Sequence, residues 1–266
     1  MQLTVNGFSM AYSDAGQGIP LLLVHGFPLN RQLWQPQLEG LSDVARVIVP
    51  DLRGHGDSQA APGPYSMDLF ADDLNLFLDA LGIQEKIVLC GLSMGGYVVF
   101  AFYRKYAHRL RGLILTATRA AADTPQGRDG RDQMMATARE KGVAAIAESM
   151  LPKLLAPQTY STRPELVERV RSITLGVSLE GVLGDLAALK DRPDSAPTLA
   201  QIDVPTMILH GADDQIIPLS EAEAMRDGIR QSKLVVVEGA GHLPGLEKIK
   251  VFNEAIRLYL KAGGAT

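Results

Sequence analysis

Short, continuously apolar runs alternate with amphipathic stretches along most of this chain. Leu21-Leu22-Leu23-Val24 and Val47-Ile48-Val49 are apolar at every position and rich in β-formers, the pattern of strands covered on both faces. Gln2 to Val5 and Phe8 to Tyr12 alternate in polarity about Asn6-Gly7. That dipeptide suits a tight hairpin turn, so a hairpin is predicted at the start. Between Ser66 and Leu81 the residues Leu69, Phe70, Leu74, Phe77, Leu78 and Leu81 recur at helical spacing, and Gly82 follows as a stop, which predicts a crossover helix. The same reading gives strand 87–91, helix 95–106 and strand 113–117, then strands 204–210 and 234–238 and a last helix over 246–261. Alternating β and α elements predict an α/β fold: a mostly parallel twisted sheet with helices on both faces and right-handed crossovers.

Residues 119–203 break this rhythm. They contain no strand pattern, but helical stretches at 131–141, 143–155, 164–176 and 179–190, separated near Asp123-Thr124-Pro125, Ala156-Pro157 and Arg192-Pro193. A segment that long is not a loop, and its helices are too short to form a core of their own. It is expected to be an inserted helical cap, or lid, on a core made of residues 1–118 and 204–266.

Composition narrows the function classes. With 266 residues, 46% hydrophobic and 21% charged, the chain matches an ordinary soluble globular protein and can bury a full core. The formal net charge is −4 and the Lys and Arg residues are scattered, so no nucleic-acid or membrane partner is expected. One cysteine makes no internal disulfide, no apolar stretch nears the roughly 20 residues of a membrane helix, and the chain opens on a strand pattern instead of a leader. A cytoplasmic location is expected. Cys90, within a strand, reads as a small buried hydrophobe.

The candidate chemistry sits at strand ends. Gly91-Leu92-Ser93-Met94-Gly95-Gly96 lies between an apolar strand and an apolar helix, and a G-x-S-x-G corner strains its serine and projects the hydroxyl off the sheet edge. The Met94 N–H is then free to bind an oxyanion. A serine needs a base, usually histidine. Of five histidines, His25, His55, His108 and His210 have structural explanations. His242 stands in the loop Gly239-Ala240-Gly241-His242-Leu243-Pro244 after the last strand, where catalytic groups of parallel sheets converge. An acid must orient the base, and Asp213 and Asp214 both follow strand 204–210. Residues 116–118, after strand 113–117, offer no acid. His25-Gly26-Phe27-Pro28 can supply a second oxyanion N–H from Phe27.

Together His25-Gly26-Phe27-Pro28, Asp51-Leu52-Arg53-Gly54-His55-Gly56-Asp57-Ser58, Gly91-Leu92-Ser93-Met94-Gly95-Gly96, Gly211-x-x-Asp214-x-x-x-Pro218 and Gly239-x-Gly241-His242 resemble the α/β-hydrolase superfamily, in order and over nearly the whole chain. The resemblance implies a catalytic triad of Ser93, Asp214 and His242, selecting Asp214 over Asp213, with Phe27 and Met94 as the oxyanion hole. It implies that Arg53, His55 and Asp57 shape a loop facing the site, and that residues 119–203 cap it. Within the superfamily, serine at the elbow argues against dehalogenase and epoxide hydrolase activity and implies an acyl-enzyme route. The first hundred residues are similar to small bacterial carboxylesterases and enol-lactone hydrolases, which implies a small ester or lactone substrate and no cofactor.

Two other readings stay open: a perhydrolase or cofactor-free haloperoxidase using the same triad, and a weakly catalytic ligand receptor on the same fold. No compact His and Asp spacing suggests a metal, and oligomeric state is not legible. Met134, Met135, Met150, Leu151, Leu154 and Leu155 are either an adaptable pocket lining or helix core. Arg128, Arg131 and Arg139 either hold a substrate carboxylate or are solvated. Trp34 is expected to pack beneath the oxyanion loop.

Overall fold

The computed structural model describes residues 1–61 and 63–262. Its eight strands are β1 (Gln2–Val5), β2 (Phe8–Ala15), β3 (Pro20–Val24), β4 (Arg46–Pro50), β5 (Ile87–Leu92), β6 (Leu110–Thr116), β7 (Thr206–Gly211) and β8 (Ser232–Val237). They form one sheet in the order β1-β2-β4-β3-β5-β6-β7-β8. β1 and β2 form the predicted hairpin and β2 runs antiparallel to β4; the remaining neighbours are parallel.

The chain winds outward in opposite directions from β3: β4 lies on one side of it and β5 on the other. The carboxyl ends of β3 and β5 therefore flank a topological switch point, the crevice where open α/β sheets bind ligands. Phe27 follows β3 and Ser93 follows β5.

Helices cover both faces. They are α1 (Gln35–Leu41), α2 (Met67–Ala80), α3 (Met94–Tyr106), α4 (Pro125–Leu154), α5 (Thr159–Thr162), α6 (Pro164–Leu175), α7 (Leu179–Asp191), α8 (Ala196–Leu199), α9 (Leu219–Gly228), α10 (Pro244–Glu247) and α11 (Ile249–Lys261). The pleat sorts the core with period two. Leu22, Val24, Leu89 and Leu113 pack with Phe70, Leu74, Phe77 and Phe100 of α2 and α3. Leu21, Leu23, Val88, Cys90 and Ile114 pack with Trp34, Leu41, Phe252 and Ile256 on the other face. Each such fully buried side chain is worth about 1.5–3 kcal/mol relative to exposure, which is why the central strands read as apolar at every position.

Five helices, α4 to α8, occupy the chain between β6 and β7. Ala138, Ile146, Val182 and Leu186 join one core and Leu151, Leu154, Leu166 and Val170 join the other, so the insertion shares its apolar interior with the sheet. The two helices expected at 131–141 and 143–155 are the two arms of α4, separated at Gly142, whose φ of 76° and ψ of 177° leave the helical region. The helix expected over 246–261 is instead two, because Lys248 (φ −131°, ψ 56°) breaks it. α1 and α9 carry weak patterns that did not predict them. α1 contains Pro36 and Gly40, and α9 buries only Ala222 and Met225. Among the described residues no helix is long and apolar enough to cross a membrane.

Candidate active site

β5 ends in a tight turn at the sheet edge. Ser93 adopts φ 54°, ψ −113°, a left-handed conformation costing a non-glycine residue on the order of 1–3 kcal/mol. The surroundings enforce it. The Ser93 N–H donates to Thr116 O at 2.9 Å, and the Ser93 carbonyl accepts from Gly96 N at 2.9 Å and from Thr118 Oγ at 2.8 Å. The flanking glycines are sterically required: a Cβ on Gly91 would collide with the Gly95 carbonyl, and one on Gly95 would sit 2.5 Å from Val24 O.

After β7, Asp214 is fixed at both carboxylate oxygens. Oδ1 accepts from the backbone N–H groups of Ile216 (2.8 Å) and Ile217 (3.0 Å). Oδ2 lies 2.8 Å from His242 Nδ1, with both side chains buried. Burial alone would raise the Asp214 carboxyl, but His242 and the two amides outweigh it and hold it below the usual carboxylate range. A carboxylate partner places the proton on Nδ1, so Nε2 is the ring nitrogen left to take a proton. Asp213 points elsewhere and accepts from Gln158 Nε2 at 2.8 Å.

The other histidines are engaged in structure. His25 donates from Nδ1 to Gly26 O and accepts at Nε2 from Leu52 N, both at 3.0 Å. His55 Nε2 lies 2.8 Å from Asp185 Oδ2, off the line of a hydrogen bond. His210 Nε2 donates to Ile217 O at 2.9 Å, and His108 is exposed. Arg53 makes a buried bidentate pair with Asp73 of α2, and Asp57 pairs with Arg31. Trp34 packs against Phe252 of α11, ring centroids 6.1 Å apart. Cys90 is buried under the elbow, where desolvation pushes its thiol up to about 12.

Ser93, His242, Phe27 and Met94 line a single cavity of about 100 Å³, with Tyr97, Arg119, Arg131, Met150, Leu189, Ile216 and Ile217. Among the described residues neither the Phe27 N–H nor the Met94 N–H donates to a protein acceptor. Two unengaged donors, a hydroxyl and an imidazole backed by a carboxylate thus converge on one small space. That set can move a proton from oxygen to nitrogen and stabilise negative charge nearby. A larger concavity of about 940 Å³, between α11 and the β7–β8 edge, contains none of these groups and is not the site. Among the described residues no three His, Cys, Asp or Glu side chains gather to hold a metal ion.

Of the six residues between β6 and β7 that were candidates for a pocket lining, only Met150 lines the cavity; Leu151, Leu154 and Leu155 are core, and Met134 and Met135 pack against it. Of the three arginines, Arg131 lines the cavity, Arg128 pairs with Asp191 and Arg139 is exposed. Four residues had no signal in the sequence: Thr118, which braces the elbow; Tyr97 and Arg119 in the cavity wall; and Glu247. The Glu247 carboxylate accepts from Gly241 N (2.6 Å), beside His242, and from Ala156 N (2.9 Å) and Thr159 Oγ (2.6 Å) of the insertion.

Comparison with known proteins places the chain in a family. A thermophilic esterase from Thermogutta terrifontis, with malate bound, superposes with a TM-score of 0.96 at 44% identity, covering 100% of this chain and 99% of that one. The 3-oxoadipate enol-lactonase 2 of Acinetobacter baylyi is 29% identical over 261 residues, 97% of this chain and 96% of its own. A non-heme chloroperoxidase of Kitasatospora aureofaciens is 31% identical over 251 residues, 90% of each. The α/β hydrolase fold model matches residues 19–249, and the chain belongs to that family, on a branch whose members include esterases and enol-lactonases.

Proposed function

We propose that the protein is a serine hydrolase that cleaves small carboxylic esters or lactones through an acyl-enzyme, with Ser93, His242 and Asp214 as its triad. One observation carries this reading: the strained Ser93 shares a cavity with an imidazole whose Nδ1 is held 2.8 Å from a buried carboxylate. His242 Nε2 takes the Ser93 hydroxyl proton as Oγ bonds to the substrate carbonyl carbon. The carbonyl electron pair moves onto oxygen, where the N–H groups of Phe27 and Met94 receive the charge. Collapse breaks the carbon–oxygen bond to the leaving group, which takes the proton back from His242. In a lactone that oxygen stays attached to the acyl group. Water, deprotonated by His242, then attacks the acyl-enzyme and releases the acid and Ser93. Residues 119–203 act as the cap, because Arg131, Met150 and Leu189 from that segment close the cavity wall.

The cavity is small beside the roughly 300–1,000 Å³ of sites for drug-sized ligands, which favours short acyl groups. The test is turnover of p-nitrophenyl esters from C2 to C12 and of several lactones, with Ser93→Ala alongside. Activity is expected to fall with chain length and to drop at least about 10³-fold in the variant; undiminished activity in Ser93→Ala would sink the mechanism. The likeness to a chloroperoxidase supports a second reading, in which peroxide replaces water as acceptor. Peracid formation from acetate and hydrogen peroxide, above the Ser93→Ala level, would support it.

A further inference from the structure

The cavity that holds Ser93 has an arginine-rich wall. Arg119 and Arg131 line it, and behind them stands one carboxylate, Asp123, whose side chain is 1% exposed. Three guanidinium groups share that single acid: Arg119 Nη2 at 2.6 Å, Arg131 Nε at 3.0 Å and Arg192 Nη1 at 2.8 Å. Burial works against its ionisation, yet Arg131 and Arg192 hold the Asp123 carboxyl below the usual range, so it counts as one negative charge. Three positive charges against one leave the wall with an excess of two. Glu221 also acts on Arg119, as the weakest of the named influences on it.

The three arginines are not equivalent. Arg192 is consumed by structure. It is buried, donates to Leu189 O (2.8 Å) and Ala121 O (3.0 Å), and lies 4.2 Å from the centre of the Tyr97 ring. Arg131 engages Asp123 through Nε alone, and its terminal nitrogens meet no acceptor among the described residues. Arg119 uses only Nη2, and its Nε is buried without a partner. Asp123 therefore orients two guanidinium groups without consuming them, and their unused N–H donors belong to side chains that border the same 100 Å³ space as the serine. A guanidinium presents five N–H donors in a planar fork that matches a carboxylate. Solvated arginines on a polar helix would show neither the shared buried counter-ion nor the common cavity.

We propose that Arg119 and Arg131 form a carboxylate-binding subsite, so that the preferred substrates are small esters or lactones carrying a free carboxylate near the reacting carbonyl. This rests on the serine hydrolase reading for the reaction, but the subsite itself can be tested without turnover. The subsite discriminates by charge: an anionic substrate gains charge-assisted hydrogen bonds, while its neutral analogue leaves the wall's excess positive charge unbalanced.

Two measurements decide the matter. The first compares kcat/KM for monomethyl succinate with that for methyl succinamate, in which an uncharged amide replaces the carboxylate. The wild-type protein is expected to prefer the anion by at least about tenfold, and Arg131→Gln to reduce that ratio about 10- to 100-fold, as for loss of a hydrogen bond to a charged group. Arg128→Gln, whose side chain pairs with Asp191 outside the cavity, is the control and should keep the ratio. Equal rates in the wild type, or a ratio that survives in both Arg119→Gln and Arg131→Gln, would overturn the subsite. The second titrates succinate and succinamate into Ser93→Ala protein by calorimetry. Tighter binding of succinate, lost in Ser93→Ala/Arg131→Gln, supports the subsite even if no ester is cleaved, in which case only the hydrolase reading falls. Equal affinities overturn the subsite even if esters are cleaved. Should Arg131→Gln not fold, the two ligand comparisons on wild-type and Ser93→Ala protein still give the answer.

Discussion

Asp213 and Asp214 follow the same strand, and residue type alone does not separate them. Their surroundings do: Asp214 faces His242 and is held by the Ile216 and Ile217 amides, whereas Asp213 accepts from Gln158. Asp214→Asn should keep the shape but present an amide to Nδ1, favouring the wrong imidazole tautomer, and should lower kcat about 10³- to 10⁴-fold. Asp213→Asn should leave kcat near the wild-type value. Steady-state kinetics of the two variants checks this, and comparable losses in both would reject the assignment. The elbow, the histidine loop and the oxyanion turn were legible because each is a local pattern, with glycines a few positions from the group that needs them. Thr118, Tyr97 and Glu247 were not, since their partners lie far away in sequence, and Arg119, though it pairs with Asp123 four positions on, meets the cavity only through the fold. The Glu247 contact to Ala156, for example, spans 91 positions.

At the scale of elements, the strands were legible because burial on both faces leaves only apolar residues. The weak helices α1 and α9 were not, because a helix that buries one or two side chains has little periodicity to show. The joints between elements were invisible as well, and Glu247 on α10 is the one with the most bearing on the site. Its carboxylate ties the histidine loop, at Gly241, to the start of the α5 segment, at Ala156 and Thr159. Burial pushes the Glu247 carboxyl up despite these donors, and both of its oxygens are engaged. Glu247→Gln would set an NH₂ against one of these donors and leave a buried N–H unpaired, at a cost of about 1–3 kcal/mol. The expected result is a kcat roughly tenfold lower with KM little changed, because the fault is in how His242 is held. A loss confined to thermal stability, with kcat intact, would show Glu247 to be a structural brace only.

For the whole molecule, the fold places titratable groups where their neutral forms are required, and this sets how stability varies with pH. Burial, followed by the nearby charge of His55, holds His25 well below its ordinary value, and burial likewise lowers His210. A histidine depressed in the folded state binds its proton on unfolding. Stability is therefore intact above the unfolded value near 6.5 and is lost as pH falls from there toward the folded value, with a limiting slope of about 1.4 kcal/mol per pH unit per group. Asp214, also depressed, adds a further loss in the same direction, but only once pH falls below about 3.9, the unfolded carboxylate value. The His55 and Asp185 pair opposes this. Asp185 outweighs burial to raise His55, and burial raises Asp185, so that pair favours the folded state on acidification. His25 is the group to vary, since it is wholly buried and its two hydrogen bonds can be copied by a glutamine amide that does not titrate. Between about pH 6.5 and 5 the unfolding midpoint of the wild-type protein should fall more steeply than that of His25→Gln. Equal slopes for the two proteins in a thermal-unfolding series across that range would mean that His25 is not the buried neutral group its surroundings require.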